Sequence, residues 1–171
     1  GLHQMLHNER PGNGGDQRVL LHVHAVGPNC GQAVVIGEFV FGVDDDGFDG
    51  TVVRVDTKGI DAEVSACGGA FATIAAGEVW DEFVMHCIGQ EWVGPEALSG
   101  IPGLVGSTPI QNVGAYGVEV GQFIARVRTW DRKEDAQRTF TADQCGFGYR
   151  WSRFKEDLGR YLVIDVSMQF L

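Results

Sequence analysis

Short stretches rich in β-branched residues, separated by Gly, Pro and Asp, follow one another along the first part of the chain. This pattern is typical of strands joined by turns. It predicts strands over residues 18–26, 33–43 and 51–55. Two further strands are predicted within residues 61–76, on either side of the Gly68-Gly69 pair.

The spacing of apolar residues changes in the sequence EVWDEFVMHCIG. Apolar side chains recur there at helical intervals, which predicts an amphipathic helix over residues 78–88. Residues 123–131 and 137–141 flank the polar sequence DRKEDA and predict a β-hairpin, and residues 161–171 predict a last strand. Strands mixed with one clear helix, without a repeat or a linker, predict a single α+β unit.

The composition is that of a soluble globular domain. The chain has 171 residues, of which 44% are hydrophobic and 21% are charged. No apolar run approaches the roughly 20 residues that cross a bilayer, and no signal peptide is recognisable, so we expect a cytoplasmic protein with no membrane partner. The four cysteines lie far apart without a CxxC pair, which is typical of buried thiols in a reducing compartment. We expect a monomer.

The net charge of -10 argues against nucleic acid as a partner, because phosphate binding needs a basic surface. The charge is unevenly distributed. Residues 1–125 carry 4 basic and 16 acidic side chains, whereas residues 126–171 carry 9 basic and 7 acidic ones. This distribution predicts that an anionic small molecule meets the protein in its final quarter, and the alternative is that these charges are scattered over a solvated surface.

Several familiar site patterns are incomplete. The sequence DDDGFDG (44–50) lacks the ligand spacing of a calcium loop and predicts a turn. His3 with His7, and His22 with His24, have paired spacing but no third ligand type beside them, so no metal site is predicted. The dinucleotide and P-loop glycine motifs and the GxSxG elbow are not present in the sequence either.

The most unusual stretch is SGIPGLVGSTPIQNVGAYGVEVG, here called the glycine-rich segment (residues 99–121). It contains six glycines and two prolines. Glycine in an element interior costs roughly 0.5–1 kcal/mol against alanine, so such a cluster indicates a sharply turning backbone or the close approach of a flat ligand. Spacing alone leaves both interpretations open.

The glycine-rich segment resembles the flavin-contacting segment of the UDP-N-acetylenolpyruvoylglucosamine reductase family. DGFDGTVVRV (46–55), AAGEVWDEFV (75–84) and CGFGYRWSRFK (145–155) resemble segments of the same family in the same order. The resemblance implies an FAD-binding domain of the PCMH type, similar to vanillyl-alcohol oxidase, without the C-terminal substrate domain. Residues 1–43 would form its divergent N-terminal part, and residues 44–171 would carry the flavin loop and the GYR sequence.

The resemblance also implies roles for individual residues. Arg150 would be catalytic, facing the enolpyruvyl carboxylate, and Tyr149, Arg150 and Lys155 would contact a UDP-sugar substrate. NADPH would reduce FAD, and the reduced flavin would pass a hydride to the enolpyruvyl group to give UDP-N-acetylmuramate, a peptidoglycan precursor. The implied cofactor-binding residues are Gly100, Pro102, Gly103, Gly106, Ser107, Pro109, Gln111, Asn112, Gly114, Ala115 and Tyr116.

Two departures from the family pattern modify this expectation. The chain reads IGEFV at 36–40, where the family has a GGGSN-type loop that holds the FAD diphosphate. The family's proton-donating serine and a catalytic glutamate belong to a later domain. We therefore expect weak or no turnover by this chain alone. The alternative is a non-catalytic flavin-fold domain that acts as a binding or structural module.

Overall fold

A computed structural model describes residues 21–26, 33–35, 50–65, 69–157 and 159–170. The first sheet in it has three strands. Its central strand β3 pairs antiparallel with β1 and parallel with β2, from Ala33↔Thr51 to Val35↔Val53. The bounds are Leu21–Val26 for β1, Ala33–Val35 for β2 and Gly50–Val55 for β3.

The second sheet is antiparallel and has five strands in the order β4-β5-β10-β8-β9. Side chains of β5 alternate between buried and half-buried, as expected of a strand with one face on the core. A bulge at Ile164 interrupts β10, and its carbonyl accepts the N–H of Ala76 at 3.0 Å. The bounds are Ile60–Val64 for β4, Ala70–Ala75 for β5, Ile124–Asp131 for β8, Ala136–Thr141 for β9 and Tyr161–Phe170 for β10.

Helix α1 (Trp80–Gly89) packs on this sheet and begins two residues later than predicted. The reason is that the carboxylate of Glu78 accepts the N–H of Gly59 at 2.6 Å, and Val79 forms an extended bridge with Leu104. These contacts hold the two residues outside the helix.

The core lies between α1 and the five-stranded sheet. Phe83 and Trp92 both contact Phe170, with ring centroids 6.1 and 5.6 Å apart, and Trp80 packs beside Phe83 at 5.9 Å. These rings are at most 5% exposed, so they supply much of the apolar area that folding removes from water.

Short elements connect the larger ones; three of them lie wholly within the glycine-rich segment, and a fourth begins in it. The glycine-rich segment is therefore built of tight turns and one short hairpin. The short elements are 3₁₀ turns at Pro95–Leu98, Val105–Ser107 and Val120–Gln122, strands β6 (Gly114–Ala115) and β7 (Val118–Glu119), and helices α2 (Ala142–Cys145) and α3 (Arg153–Glu156).

The predicted α+β class is confirmed, as are the helix and the strands that fall on described residues. Cys87 and Cys145 are buried as predicted, and burial raises the pKa of both thiols to about 12. Within the described ranges no helix is long and apolar enough to span a membrane, and no His, Cys, Asp and Glu side chains form a group of metal-ligand size. The predictions for His3, His7, Cys30, Cys67, IGEFV, residues 36–43 and most of DDDGFDG lie outside the described residues.

Candidate functional site

The start of the glycine-rich segment is fastened to the first turn of helix α1. The backbone N–H of Trp80 donates to the carbonyl of Gly103 at 2.9 Å, and its indole Nε1 donates to the carbonyl of Leu98 at 3.0 Å. The N–H of Gly100 donates to the Asp81 carboxylate at 2.5 Å. Gly100 and Gly103 have φ values of 75° and 124°, which side chains disfavour. The helix therefore fixes the path of the GIPG turn.

Gly106 lies against the end of β5. Its N–H donates to the carbonyl of Ala76 at 2.9 Å, and a Cβ on Gly106 would lie 2.6 Å from the Ala76 Cβ. The Val105–Ser107 turn can approach the sheet this closely because the residue is glycine. A shallow depression beside it is lined by Ala76, Leu104, Gly106, Ser107 and Ile110, together with residues of β3 and β10.

Asn112 is the buried polar centre of the segment, with 1% of its surface exposed. Its Nδ2 donates to the Glu119 carboxylate at 2.8 Å and to the carbonyl of Gly148 at 3.0 Å. Its Oδ1 accepts the N–H of Gly121 at 2.9 Å. Both amide hydrogens are thus used inside the protein.

The hairpin of β6 and β7 projects Tyr116 into solvent. Tyr116 is 94% exposed and has a φ of 53°, and Gly117 follows at 81°. Gly114 is enclosed in the same hairpin, because a Cβ there would lie 2.8 Å from the carbonyl oxygen of Val118.

The sequence GYRW forms a tight turn, here called the GYR turn (residues 148–151). Gly148 and Trp151 exchange two backbone hydrogen bonds of 3.0 Å, and Arg150 has a φ of 52°. Its guanidinium Nη2 donates to the carbonyl of Gly114 at 2.7 Å. The hydroxyl of Ser152 donates to the carbonyl of Ile110. The glycine-rich segment and the GYR turn therefore contact each other, through residue pairs that lie 36 and 42 positions apart in the sequence.

Arg150 differs from Arg128 and Arg160 in the partner of its guanidinium. Salt bridges in the described part of the chain pair Arg128 with Asp165 and Arg160 with Asp131, and do not include Arg150. The Arg160 guanidinium lowers the pKa of the Asp131 carboxyl to about 2. Arg150 is exposed and contacts a neutral carbonyl, so it can attract an anion.

The remaining predicted site residues differ in their exposure and in their hydrogen bonds. Tyr149 is 85% exposed, and the Lys155 ammonium donates to the Arg150 carbonyl at 3.0 Å while lying over the Trp151 ring. Ser107 donates its hydroxyl to Leu104 at 2.7 Å. Pro102 and Gln111 are exposed, Ala115 is half-buried and Pro109 is buried. Their contacts with a ligand stay predictions.

Three residues with a structural part in the site were missed by sequence reasoning: Asp81, Glu119 and Ser152. Asp81 lies in the first turn of a predicted helix, where carboxylates are favoured, and that position offered a sequence indication. Glu119 and Ser152 act through contacts with chain segments that the sequence does not show to be adjacent.

The chemistry of the depression suits contact with part of a flavin ring. The depression has a floor of small and apolar residues, which suits a planar ring, and the Ser107 hydroxyl keeps acceptor capacity at its edge. A side chain at Gly106 would collide with Ala76, and the Gly106 N–H is already donated to the Ala76 carbonyl, so a bound ring would find close approach there but no free backbone donor.

Comparison with known proteins agrees with this fit. Residues 33–139 match the family described as "FAD binding domain". UDP-N-acetylenolpyruvoylglucosamine reductase of Cutibacterium acnes is 77% identical over 128 residues, covering 75% of this chain and 34% of the relative. The enzyme of that name from Thermobifida fusca is 46% identical over 127 residues, covering 74% and 35%. The chain thus spans about a third of the length of these relatives.

Solved structures show the same fold. The UDP-N-acetylenolpyruvylglucosamine reductase of Thermus caldophilus matches with a TM-score of 0.52 and 24% identity, over 58% of this chain and 35% of that one. A solvent-stable cholesterol oxidase matches with a TM-score of 0.50 and 16% identity, over 70% and 25%. The predicted FAD-binding fold and the predicted resemblance to the reductases are confirmed. The chain belongs to the family of FAD-binding domains.

Proposed function

We propose that this chain is the FAD-holding part of an enzyme that reduces UDP-N-acetylglucosamine enolpyruvate to UDP-N-acetylmuramate with NADPH. The names of its relatives support the substrate class. We expect it to work as a monomer in the cytoplasm, in peptidoglycan synthesis and thus in cell shape and division. The observation that carries the proposal is the contact between the glycine-rich segment and an arginine that has no carboxylate partner among the described salt bridges.

Individual residues of the chain would bind the cofactor or the substrate. Bound FAD supplies hydride transfer between NADPH and the substrate. The GIPG and Val105–Ser107 turns would bind the flavin, with Ser107 and Gln111 at its polar edge and Tyr116 beside it. Arg150 would hold the substrate carboxylate and stabilise negative charge on it, because a guanidinium stays charged and presents a planar fork. Tyr149 and Lys155 would contact the UDP-sugar.

Flavin titration tests the proposal directly. FAD is added to the purified chain while flavin fluorescence and visible absorbance are followed. The matched variants are Gln111→Leu and Gln122→Leu, two exposed glutamines of which the first is a predicted flavin contact. We expect FAD binding by the unchanged chain, about fivefold weaker binding by Gln111→Leu, and unchanged binding by Gln122→Leu, since one polar contact is worth about 1 kcal/mol.

Equal affinity of both variants would contradict the assigned flavin face, and failure of the unchanged chain to bind FAD would favour the non-catalytic module. Gly114→Leu is a second variant that we expect to lose FAD. Since its side chain would push against the carbonyl of Val118, circular dichroism must accompany that measurement.

Turnover is a separate measurement. General-acid help is typically worth about 10² to 10⁴ in rate, and none of the recognised motifs supplies the proton donor. We expect little NADPH-dependent reduction of the enolpyruvyl substrate by this chain with excess FAD. Turnover comparable to that of a full-length relative would mean that a residue within the chain donates the proton.

A further inference from the structure

The GYR turn is held on both sides by the same short stretch of the glycine-rich segment. On one side Asn112 donates to the carbonyl of Gly148, and on the other Ser152 donates to the carbonyl of Ile110. Between these two anchors, Arg150 reaches the carbonyl of Gly114. Two polar contacts thus flank the turn that carries Arg150.

The backbone of Arg150 requires such support. Arg150 has a φ of 52°, and a non-glycine residue in the left-handed region persists where its surroundings determine it. Asn112 is itself left-handed, at a φ of 46°, and its side chain is held by Glu119 and Gly121. A buried amide fixed in this way is a rigid donor for the carbonyl of Gly148.

We propose that Asn112 is a positioning residue, which fixes the direction of the Arg150 guanidinium by holding Gly148 at the base of the GYR turn. The proposal rests on the proposed function only where it assigns Arg150 to an anionic substrate. In this role Asn112 acts through its two donated hydrogen bonds and does not contact a ligand. The competing role is direct contact of the Asn112 side chain with flavin.

The test measures the Arg150 side chain itself by nuclear magnetic resonance of the full chain. Guanidinium Nη resonances are resolved where a hydrogen bond slows rotation, and Arg150→Lys assigns the Arg150 peak by its loss. The main variant is Asn112→Asp, which keeps an acceptor for Gly121 and removes both donors. We expect the resolved Arg150 Nη resonance to be lost in this variant.

The matched control is Thr108→Val in the same segment. Thr108 is 2% exposed and donates its hydroxyl to the carbonyl of Val105 at 2.8 Å, so its replacement removes one buried hydrogen bond without touching the GYR turn. We expect this variant to unfold at a lower temperature and to keep the Arg150 resonance. A purely structural role of Asn112 would make the two variants alike.

Retention of the Arg150 resonance in folded Asn112→Asp overturns the proposal. Should repulsion from Glu119 unfold that variant, Asn112→Asp combined with Glu119→Gln removes the like charge and leaves Gly148 without its donor. Hydrogen exchange of the Asn112 Nδ2 protons with solvent, measured in the unchanged chain, is a test that needs no variant. Exchange as fast as that of an exposed amide also overturns the proposal. None of these readouts needs flavin, so a failure to bind FAD refutes the proposed function separately.

Discussion

The core between α1 and the five-stranded sheet and the surface of the candidate site use aromatic residues in opposite ways. In the core, Trp80 and Phe83 are at most 1% exposed and pack against other rings. At the site, Tyr116 and Tyr149 are 94% and 85% exposed. Buried rings contribute to stability through the apolar area removed from water, whereas exposed rings remain free to pack on a ligand.

The arginines show the same difference. Arg160 forms hydrogen bonds with the Asp131 carboxylate at 2.8–3.2 Å, and this contact raises its own pKa. Arg150 contacts the neutral carbonyl of Gly114 instead. A guanidinium paired with a carboxylate has its charge compensated, whereas one that donates to a carbonyl, as Arg132 also does to Gly159, has no compensating charge in that contact.

Backbone strain is also concentrated at the site. Of the five non-glycine residues with positive φ in the described ranges, three belong to it, namely Asn112, Tyr116 and Arg150. Such residues cluster where the surrounding contacts determine the backbone. The comparison therefore separates a scaffold whose groups satisfy one another from a surface whose groups are held in place but left available.

The largest effect is expected in the core. Phe83→Ala removes a ring that contacts Trp80 and Phe170, so we expect the free energy of unfolding to fall by about 3–5 kcal/mol. Urea denaturation followed by circular dichroism measures it. The matched site variant Tyr149→Ala should change the same quantity by no more than about 0.5 kcal/mol. Similar losses in both variants would remove the distinction between the two regions.

The next effect depends on pH. Because Arg160 lowers the pKa of the folded-state Asp131 carboxyl from 3.8 to about 2, the ionised carboxylate stabilises the fold above about pH 4. That contribution is lost as the pH falls towards 2. We expect unchanged protein to be more stable than Asp131→Asn at pH 6, with the gap closing between pH 4 and 2.

Urea denaturation midpoints of the unchanged protein and of Asp131→Asn between pH 6 and 2 give the difference in stability directly. The other carboxyl groups titrate in both proteins, so their effect cancels. Arg150→Gln serves as the control variant, because Arg150 is not among the described salt bridges. Its gap to the unchanged protein should not vary with pH in the same window, and a constant gap for Asp131→Asn would contradict the assigned role of that carboxylate.

Elements with a long regular pattern could be predicted from the sequence, and contacts between distant polar groups could not. Strand β5 and the hairpin of β8 and β9 follow the alternation of apolar residues and the polar DRKEDA turn. The glycine-rich segment was located by composition and resemblance. Its contacts through Asn112 and Ser152 join residues 36 and 42 positions apart, and single hydrogen bonds of this kind leave no periodicity in the sequence.

The end of helix α1 shows the same limit on a smaller scale. The helix continues to Gly89, one residue past the predicted end, because the N–H of Trp92 donates to Cys87 at 2.9 Å and that of Glu91 donates to Ile88 at 3.1 Å. This arrangement is a Schellman motif, with Glu91 at the left-handed position where glycine is usual.

The smallest prediction compares strain in the two regions. Glu91→Gly removes the Cβ from a residue at a φ of 61° and a negative charge from the helix C-terminus, so we expect the free energy of unfolding to rise by about 1 kcal/mol. Arg150→Gly relieves a similar φ of 52° but loses the hydrogen bond to Gly114, worth about 0.5–1.5 kcal/mol. We expect no net gain there. Urea denaturation of both variants measures the difference, and an equal gain would mean that the Arg150 contact contributes nothing to holding the turn.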